Sequence, residues 1–362
     1  MKLFPALEKR YSAETMKALD AQRLAHEIAF GPIVFQVSRL MIKFGILQML
    51  LDAPNGLTLE EVTEKTKLSR YAAQCLLESS LTMGTVHCKD NRFKASKAAW
   101  FLLNDRAVKV NMDFNHDVNY LGWFNLEEAL LNGKPEGLKV FGNWHTIYEG
   151  LSDLPEQVQK SWFGFDHFYS DSSFDEALKI VFDHHPPDTL LDVGGNTGRW
   201  ALRCVNYNAE VKVTIMDLPQ QLELMRKQTA GEQGADRIFG HGVDVLDKAT
   251  SFLTGFDVIW MSQFLDCFSE EEVTDILTRA AASMNADTRL CIMETLWDRQ
   301  RFETAAYCLT QISLYFTALA NGNSKMYHSD DMIRCINAAG LKVEEIHDSL
   351  GQGHSILVCK KQ

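Results

Sequence analysis

Asp192, Asp217 and Asp244 each stand at the end of a short apolar run: Leu190-Leu191-Asp192-Val193, Ile215-Met216-Asp217-Leu218-Pro219 and Val243-Asp244-Val245-Leu246. Behind the first comes Gly194-Gly195-Asn196-Thr197-Gly198, which opens a helical stretch. Glycines there let the backbone turn tightly from strand to helix and let a ligand come close. A glycine-rich strand–turn–helix alone is shared with dinucleotide enzymes. Two details point elsewhere. The glycines are not spaced as Gly-x-Gly-x-x-Gly, and Asp192 sets a carboxylate just ahead of them. A pyrophosphate would be repelled there, whereas a cationic aminoacyl-sulfonium ligand would be attracted. Asp217 can accept hydrogen bonds from both hydroxyls of a ribose, and Asp244 from the exocyclic amine of adenine. Any one such Asp is more often a loop cap. Three of them after successive strands of one sheet outweigh that reading.

The element that must position these groups is a sheet. From Thr189 onward, apolar runs at 190–193, 212–216, 238–243, 257–261, 289–293, 342–346 and 355–358 alternate with helical stretches. Helices fall between the first five, which predicts an α/β fold with a parallel, doubly wound sheet. The last two runs are joined by a glycine-containing loop, 347–354, with no helix, and so predict an antiparallel pair at the sheet edge.

Upstream, residues 21–53 read as helix, with Ile33, Val34, Val37, Leu40, Met41, Phe44, Leu47 and Leu50 at helical spacing and Gly31-Pro32 marking a start or kink. Thr58-Leu59-Glu60-Glu61 has the form of a capping box, a further helix begins near Ser69, and Lys89-Asp90-Asn91 separates two β-like runs. Helix, helix, helix, hairpin is the winged-helix order. Such a unit either reads DNA with its second helix or serves as a packing and dimerisation module. The stretch Ser69-Arg70-Tyr71-Ala72-Ala73-Gln74-Cys75 offers one Arg and no basic cluster, which favours the second role. Residues 103–182 are helical and rich in aromatics, most of which must be core.

With these motifs in view, the chain resembles class I S-adenosylmethionine-dependent methyltransferases. More narrowly, it resembles the small-molecule O-methyltransferases typified by plant caffeate and animal hydroxyindole enzymes. The resemblance implies a Rossmann-like seven-stranded sheet with an antiparallel last strand, preceded by a mainly α winged-helix dimerisation domain. The organisation expected is 1–105 for dimerisation, 106–182 as helical linker and substrate-pocket region, and 183–362 for S-adenosylmethionine. It also implies a homodimer in which each N-terminal domain helps close the partner's substrate cavity. The expected cofactor-binding residues are Asp192, Gly194, Gly195, Asn196, Gly198, Asp217, Leu218, Asp244, Val245, Ser262 and Gln263.

Methyl transfer from a sulfonium is an in-line displacement, and a hydroxyl acceptor must lose a proton. A phenol of pKa about 10 is mostly protonated at pH 7, so a nearby base accelerates transfer. In the family that base is a His opening a His-Asp-Trp-Ser-Asp-Glu stretch. The matching stretch here is Asp266-Cys267-Phe268-Ser269-Glu270-Glu271, so the His position holds Asp266. A solvated Asp, with a pKa of about 4, is a poor base, although burial raises it. Three explanations stand: Asp266 is a desolvated base; it orients the acceptor while another group such as His167 takes the proton; or the reaction needs little base, as in methylation of an electron-rich ring at an ortho carbon. Against these stands the reading that Asp266 only caps the next helix, a task for which Ser269 is itself suited. Glu294 matches the acid that in the family hydrogen-bonds the catalytic His. Met326 falls where the family's second acid lies, and Ser262 where it has a Lys near the cofactor. Trp162, Phe165, His167 and Phe168 on one helical stretch, with Tyr307, Gln311 and Tyr315 one turn apart on another, are the expected substrate-pocket residues beside Met326. Such stripes are more often core than pocket.

Composition narrows the alternatives. The chain has 362 residues, 46% hydrophobic and 23% charged, which fits two globular domains. A net charge of −12 disfavours a nucleic acid partner. No apolar run approaches the roughly 20 residues a membrane span needs, and the first nine residues carry no signal-peptide core. The eight cysteines are scattered without metal-ligand spacing, as expected of buried thiols in a reducing cytoplasm. The expected activity is methyl transfer to the oxygen, or a carbon, of a small aromatic or polyene-like acceptor. The rivals are a decarboxylase or hydroxylase that kept the cofactor fold, and a non-catalytic regulator using the winged helix.

Overall fold

The computed structural model describes residues 3–362. Its contacts divide the chain into two units: Glu14–Asp117, and Val118–Gln362 together with the N-terminal residues up to Ala13. Among the described residues no helix is long and apolar enough to cross a membrane.

In the first unit the helical pattern over 21–53 folds as three helices, Ala18–Ala29, Gly31–Lys43 and Ile46–Leu51. Pro32 has no N–H to give to a preceding turn, so a helix starts there. Gly45, at φ 69°, makes the second break in a conformation that costs glycine least. The expected capping box is present: Thr58 Oγ1 accepts from the Glu61 N–H at 3.2 Å, and the Glu61 carboxylate accepts from the Thr58 N–H at 2.7 Å, opening helix Leu59–Thr66. Ser69 caps helix Arg70–Met83. Strands β1 (Val86–Lys89) and β2 (Arg92–Ala95) then form a hairpin that turns through Asp90 and Asn91 at φ 51° and 57°. That left-handed pair is what a two-residue hairpin of matching twist requires. Met41, Ile46, Leu47, Leu50, Val62 and Leu77 fill the core of this unit.

The second unit holds the sheet: β3 (Thr189–Val193), β4 (Lys212–Asp217), β5 (Ile238–Gly242), β6 (Val258–Ser262), β7 (Arg289–Glu294), β8 (Leu341–Leu350) and β9 (His354–Lys361). The order is β5-β4-β3-β6-β7-β9-β8, parallel except for β9, which runs antiparallel to both β7 and β8. Leu191, Val193, Ile259 and Met261 face one side, against helices Glu270–Ser283 and Ser329–Ala338. Leu190, Val213, Ile215, Val258 and Trp260 face the other, against helices Phe174–Phe182, Arg199–Tyr207 and Pro219–Thr229. Each side chain so buried stabilises by about 1.5–3 kcal/mol relative to exposure. The order reverses between β3 and β6. The carboxyl ends of these two strands therefore open onto the crevice where such sheets bind ligands.

One expectation is corrected. The segment read as a loop, 347–354, is mostly strand: β8 runs on to Leu350, and only Gly351–Gly353 turns. Its polar residues hid the strand because β8 is an edge strand, partly exposed and bulged between His347 and Leu350. Asp348 is used there by the fold, accepting from the Arg299 guanidinium and from Ser355 Oγ at 2.7 Å.

Candidate active site

The turn after β3 is shaped by Gly194 (φ 75°), Asn196 (φ 48°) and Gly198 (φ 79°), all left-handed. A Cβ on Gly195 would lie 2.6 Å from Asp192 Oδ2 and 2.8 Å from Ile215 Cγ2, and one on Gly194 would overlap the Phe264 ring. A side chain at either position would force these neighbours to shift. Asp192 is buried, and its Oδ2 has no hydrogen-bond partner. Burial, aided by the charge of Asp217, pushes its carboxyl up to about 8. Asp217, closing β4, accepts from the Asn196 N–H at 2.8 Å and the Leu218 N–H at 2.7 Å. Burial raises its pKa against the pull of those bonds. Asn196 leaves its own Oδ1 buried without a partner. Asp244 is exposed just past β5 and accepts from the Leu246 N–H at 2.9 Å, closing a local turn. Val245 faces inward and packs in the core with Val193 and Met216.

Across the reversal, β6 ends at Ser262, paired in register with Met293. Gln263 is left-handed (φ 46°), with its N–H on the Met293 carbonyl at 2.9 Å and its side-chain oxygen 3.1 Å from His354 Nε2. The chain then makes a short 3-10 turn, Leu265–Cys267. Glu294, closing β7, holds this turn: its Oε1 accepts from the N–H groups of Phe264 (3.0 Å) and Leu265 (2.8 Å). Glu294 is buried with Oε2 unpartnered, and burial together with the charge of Asp266 pushes its pKa well up.

Asp266 is buried too, and burial raises it to about 6. It caps nothing. Ser269 takes that role for helix Glu270–Ser283, forming a capping box with Glu272. The neighbours of Asp266 were not foreseen from the sequence. Cys267 Sγ lies 3.5 Å from Asp266 Oδ1 and receives the Tyr148 hydroxyl at 3.0 Å, and the Cys267 carbonyl accepts from Asn321. On helix Glu156–Asp171, Trp162 Nε1 donates to the buried Tyr315 hydroxyl at 2.7 Å. Asp166 stands one turn further along the same face. Burial and then the charge of Asp266 push it up to about 7. The spacing Trp162 to Asp166 was the signal available in the sequence; the aromatics around it masked the acid.

His167 lies at the edge of this cluster, its Nε2 4.0 Å from Asp166 Oδ2. Burial, and then the charge of Arg199, hold its pKa down against Asp171, and its buried Nε2 makes no hydrogen bond. The rings of Phe165 and Tyr169 lie 4.9 Å apart, tilted by 50°, and Phe168 is buried beside Tyr169. The stripe Tyr307, Gln311, Tyr315 divides. Only Tyr315 reaches the cluster, because helix Glu303–Tyr315 leaves Tyr307 and Gln311 exposed in this chain. Met326 is buried, with its sulfur 3.2 Å from the Thr295 hydroxyl and its N–H on Ser313 Oγ.

A seven-stranded sheet with a reversed last strand and a glycine turn between acids defines a Rossmann-like S-adenosylmethionine-dependent methyltransferase. Residues 123–341 match the O-methyltransferase domain and residues 22–93 the Dimerisation2-like domain. The chain belongs to the O-methyltransferase domain family. It is similar to the L-tyrosine C(3)-methyltransferase of Streptomyces lavendulae, 24% identical over 330 residues that cover 90% of this chain and 88% of that one. It is also similar to human acetylserotonin O-methyltransferase, 20% identical over 297 residues covering 78% and 82%. Among solved structures, the apo S-adenosylmethionine-dependent methyltransferase SibL shares the fold with a TM-score of 0.69 and 21% identity, covering 92% of this chain and 98% of its own. The mitomycin 7-O-methyltransferase MmcR does so with a TM-score of 0.70 and 18% identity, covering 94% and 98%.

Proposed function

We propose that the chain methylates a small aromatic acceptor, a phenol or its ortho carbon, with Asp266 as the proton-accepting group. The observation that carries this reading is Asp266 itself: a buried carboxyl, free of any capping duty, in the position where the family has its His. A pKa near 6 makes it a far better base at neutral pH than a solvated Asp. Asp166, Tyr148, Cys267 and Tyr315 surround it, and Glu294 positions the turn that carries it. Named relatives that act on tyrosine and on acetylserotonin support an aromatic acceptor.

The residues present fit the cofactor. Asp192 Oδ2 is an orphaned buried carboxyl oxygen, Gly195 supplies a cradle that a Cβ would fill, and Asn196 Oδ1 is also unpartnered. In this assignment Asp192, Gly194, Gly195, Asn196 and Gly198 hold the aminoacyl end, Asp217 and Leu218 the ribose, and Asp244 and Val245 the adenine. Bound there, S-adenosylmethionine supplies an electrophilic methyl on a positively charged sulfur. Asp266 accepts the acceptor's proton, Glu294 keeps its turn in place, and Trp162 and Tyr315 wall the acceptor from water. Ser262 lies at the strand end beside them, and Gln263 contributes backbone rather than side chain.

The first unit serves as a winged-helix dimerisation module in this reading. Helix Ala18–Ala29 buries none of its residues, yet carries Leu19 and Ile28 with 78% and 71% exposure. Apolar faces of that kind mark association surfaces. Incubation with methyl-labelled S-adenosylmethionine and a panel of phenols tests the activity: label in an O- or ring-methylated product is expected, and no label in any product rejects it.

A further inference from the structure

His354 opens β9 as a fully buried imidazole, and both ring nitrogens have partners: Nδ1 lies 2.8 Å from Ser173 Oγ and Nε2 3.1 Å from Gln263 Oε1. Burial holds its pKa down to about 3, so the ring is neutral and carries a single ring proton. With that proton on Nε2, the ring donates to Gln263 and accepts from the Ser173 hydroxyl. Polar groups buried this deeply are costly unless paired, so packing alone would have been served better by an apolar side chain.

What the ring holds is more telling. Gln263 sits in the left-handed region, where a residue with a Cβ persists only if its surroundings fix it. Two contacts fix it: its N–H on the Met293 carbonyl and its side-chain oxygen on His354. The residues that follow are Phe264, whose ring occupies the space a Cβ on Gly194 would need, then Leu265 and Asp266. On its other side the ring holds Ser173, just beyond helix Glu156–Asp171, which carries Trp162 and Asp166.

We infer that His354 is a positioning residue for methyl transfer: through Gln263 it sets the turn 263–266, which closes against the glycine turn and presents Asp266. The inference rests on the proposed placement of the cofactor at the carboxyl ends of β3 and β6.

Titration calorimetry with S-adenosylhomocysteine reads the fit of this turn without turnover. His354→Asn keeps a group at the Nδ1 position for Ser173 and cannot reach Gln263; His354→Gln does the reverse. The Asn variant should weaken binding about tenfold, the scale of one well-placed hydrogen bond, while the Gln variant stays within about twofold of wild type. The two should melt within about 3 °C of one another, because each loses one buried hydrogen bond. Added to Gln263→Leu, the Asn substitution should cost nothing further, since the contact is already gone. Should a histidine variant not fold, Gln263→Leu alone must reproduce the tenfold loss. Wild-type affinity in the Asn variant, equal losses in the Asn and Gln variants, or losses that multiply in the cycle overturn the role. Absence of binding by the wild-type chain overturns the cofactor placement itself.

Discussion

Glu294 holds the turn that carries Asp266: one of its oxygens receives the N–H groups of Phe264 and Leu265, the two residues immediately before that aspartate. The other oxygen is buried without a partner. Burial next to Asp266 pushes the Glu294 carboxyl well up, whereas Asp266 is raised only to about 6.

Turnover should therefore depend on Asp266. As a base it works ionised, so kcat should rise with pH through about 6 and level off above it. Asp266→Asn should lower kcat by roughly 10²–10⁴-fold, the usual worth of a general base, and abolish the limb near 6. Steady-state rates between pH 5 and 9 check this; a variant with the wild-type profile leaves Asp266 without a role in proton transfer.

Asp217→Ala should weaken S-adenosylhomocysteine binding by roughly tenfold or more, on the scale of charge-assisted hydrogen bonds. It also orphans the N–H groups of Asn196 and Leu218, so the glycine turn itself loosens. Calorimetry measures it, and unchanged affinity rejects the ribose contact.

Gly195→Ala should lose the cofactor as well. Its Cβ would press on Asp192 Oδ2 and on Ile215, an overpacking that typically costs about 1–3 kcal/mol. Thermal melts with and without S-adenosylhomocysteine should show a lowered Tm and no ligand-induced rise.

Asp192→Asn should separate stability from function. A carboxyl raised to about 8 in the folded chain stabilises it fully below its unfolded value, and that contribution is lost as pH rises through about 8. Without ligand, the Asn variant should match wild type near pH 4. By pH 8 it should exceed wild type by on the order of a few kcal/mol, while binding cofactor poorly. Denaturant melts at the two pH values decide it; a variant less stable than wild type at pH 8 contradicts the burial argument.

The sequence determined a good deal by local rules. Short apolar runs separated by helices implied the parallel sheet, and Thr58 with Glu61 and Ser69 announced their helix starts before any contact was known. The glycine turn and Asp192 were equally legible, because tight strand-to-helix geometry admits so few residue types. Polar edge strands were not: 347–350 read as loop, since hydrogen bonding to a neighbour leaves no apolar signature.

Tertiary structure decided everything that depends on which side chain faces which. Only the fold could bring Asp166 toward Asp266, set His167 beside Asp166, leave Tyr307 and Gln311 exposed, and set His354 against Gln263, 91 residues away. It also relieved Asp266 of the capping task. Type and position in the chain left it a base, an orienting group, a residue in a reaction that needs little base, or a cap. Burial gave it a raised pKa and the Ser269 capping box took over the last of these tasks, and both are properties of the packed interior, absent from the local sequence.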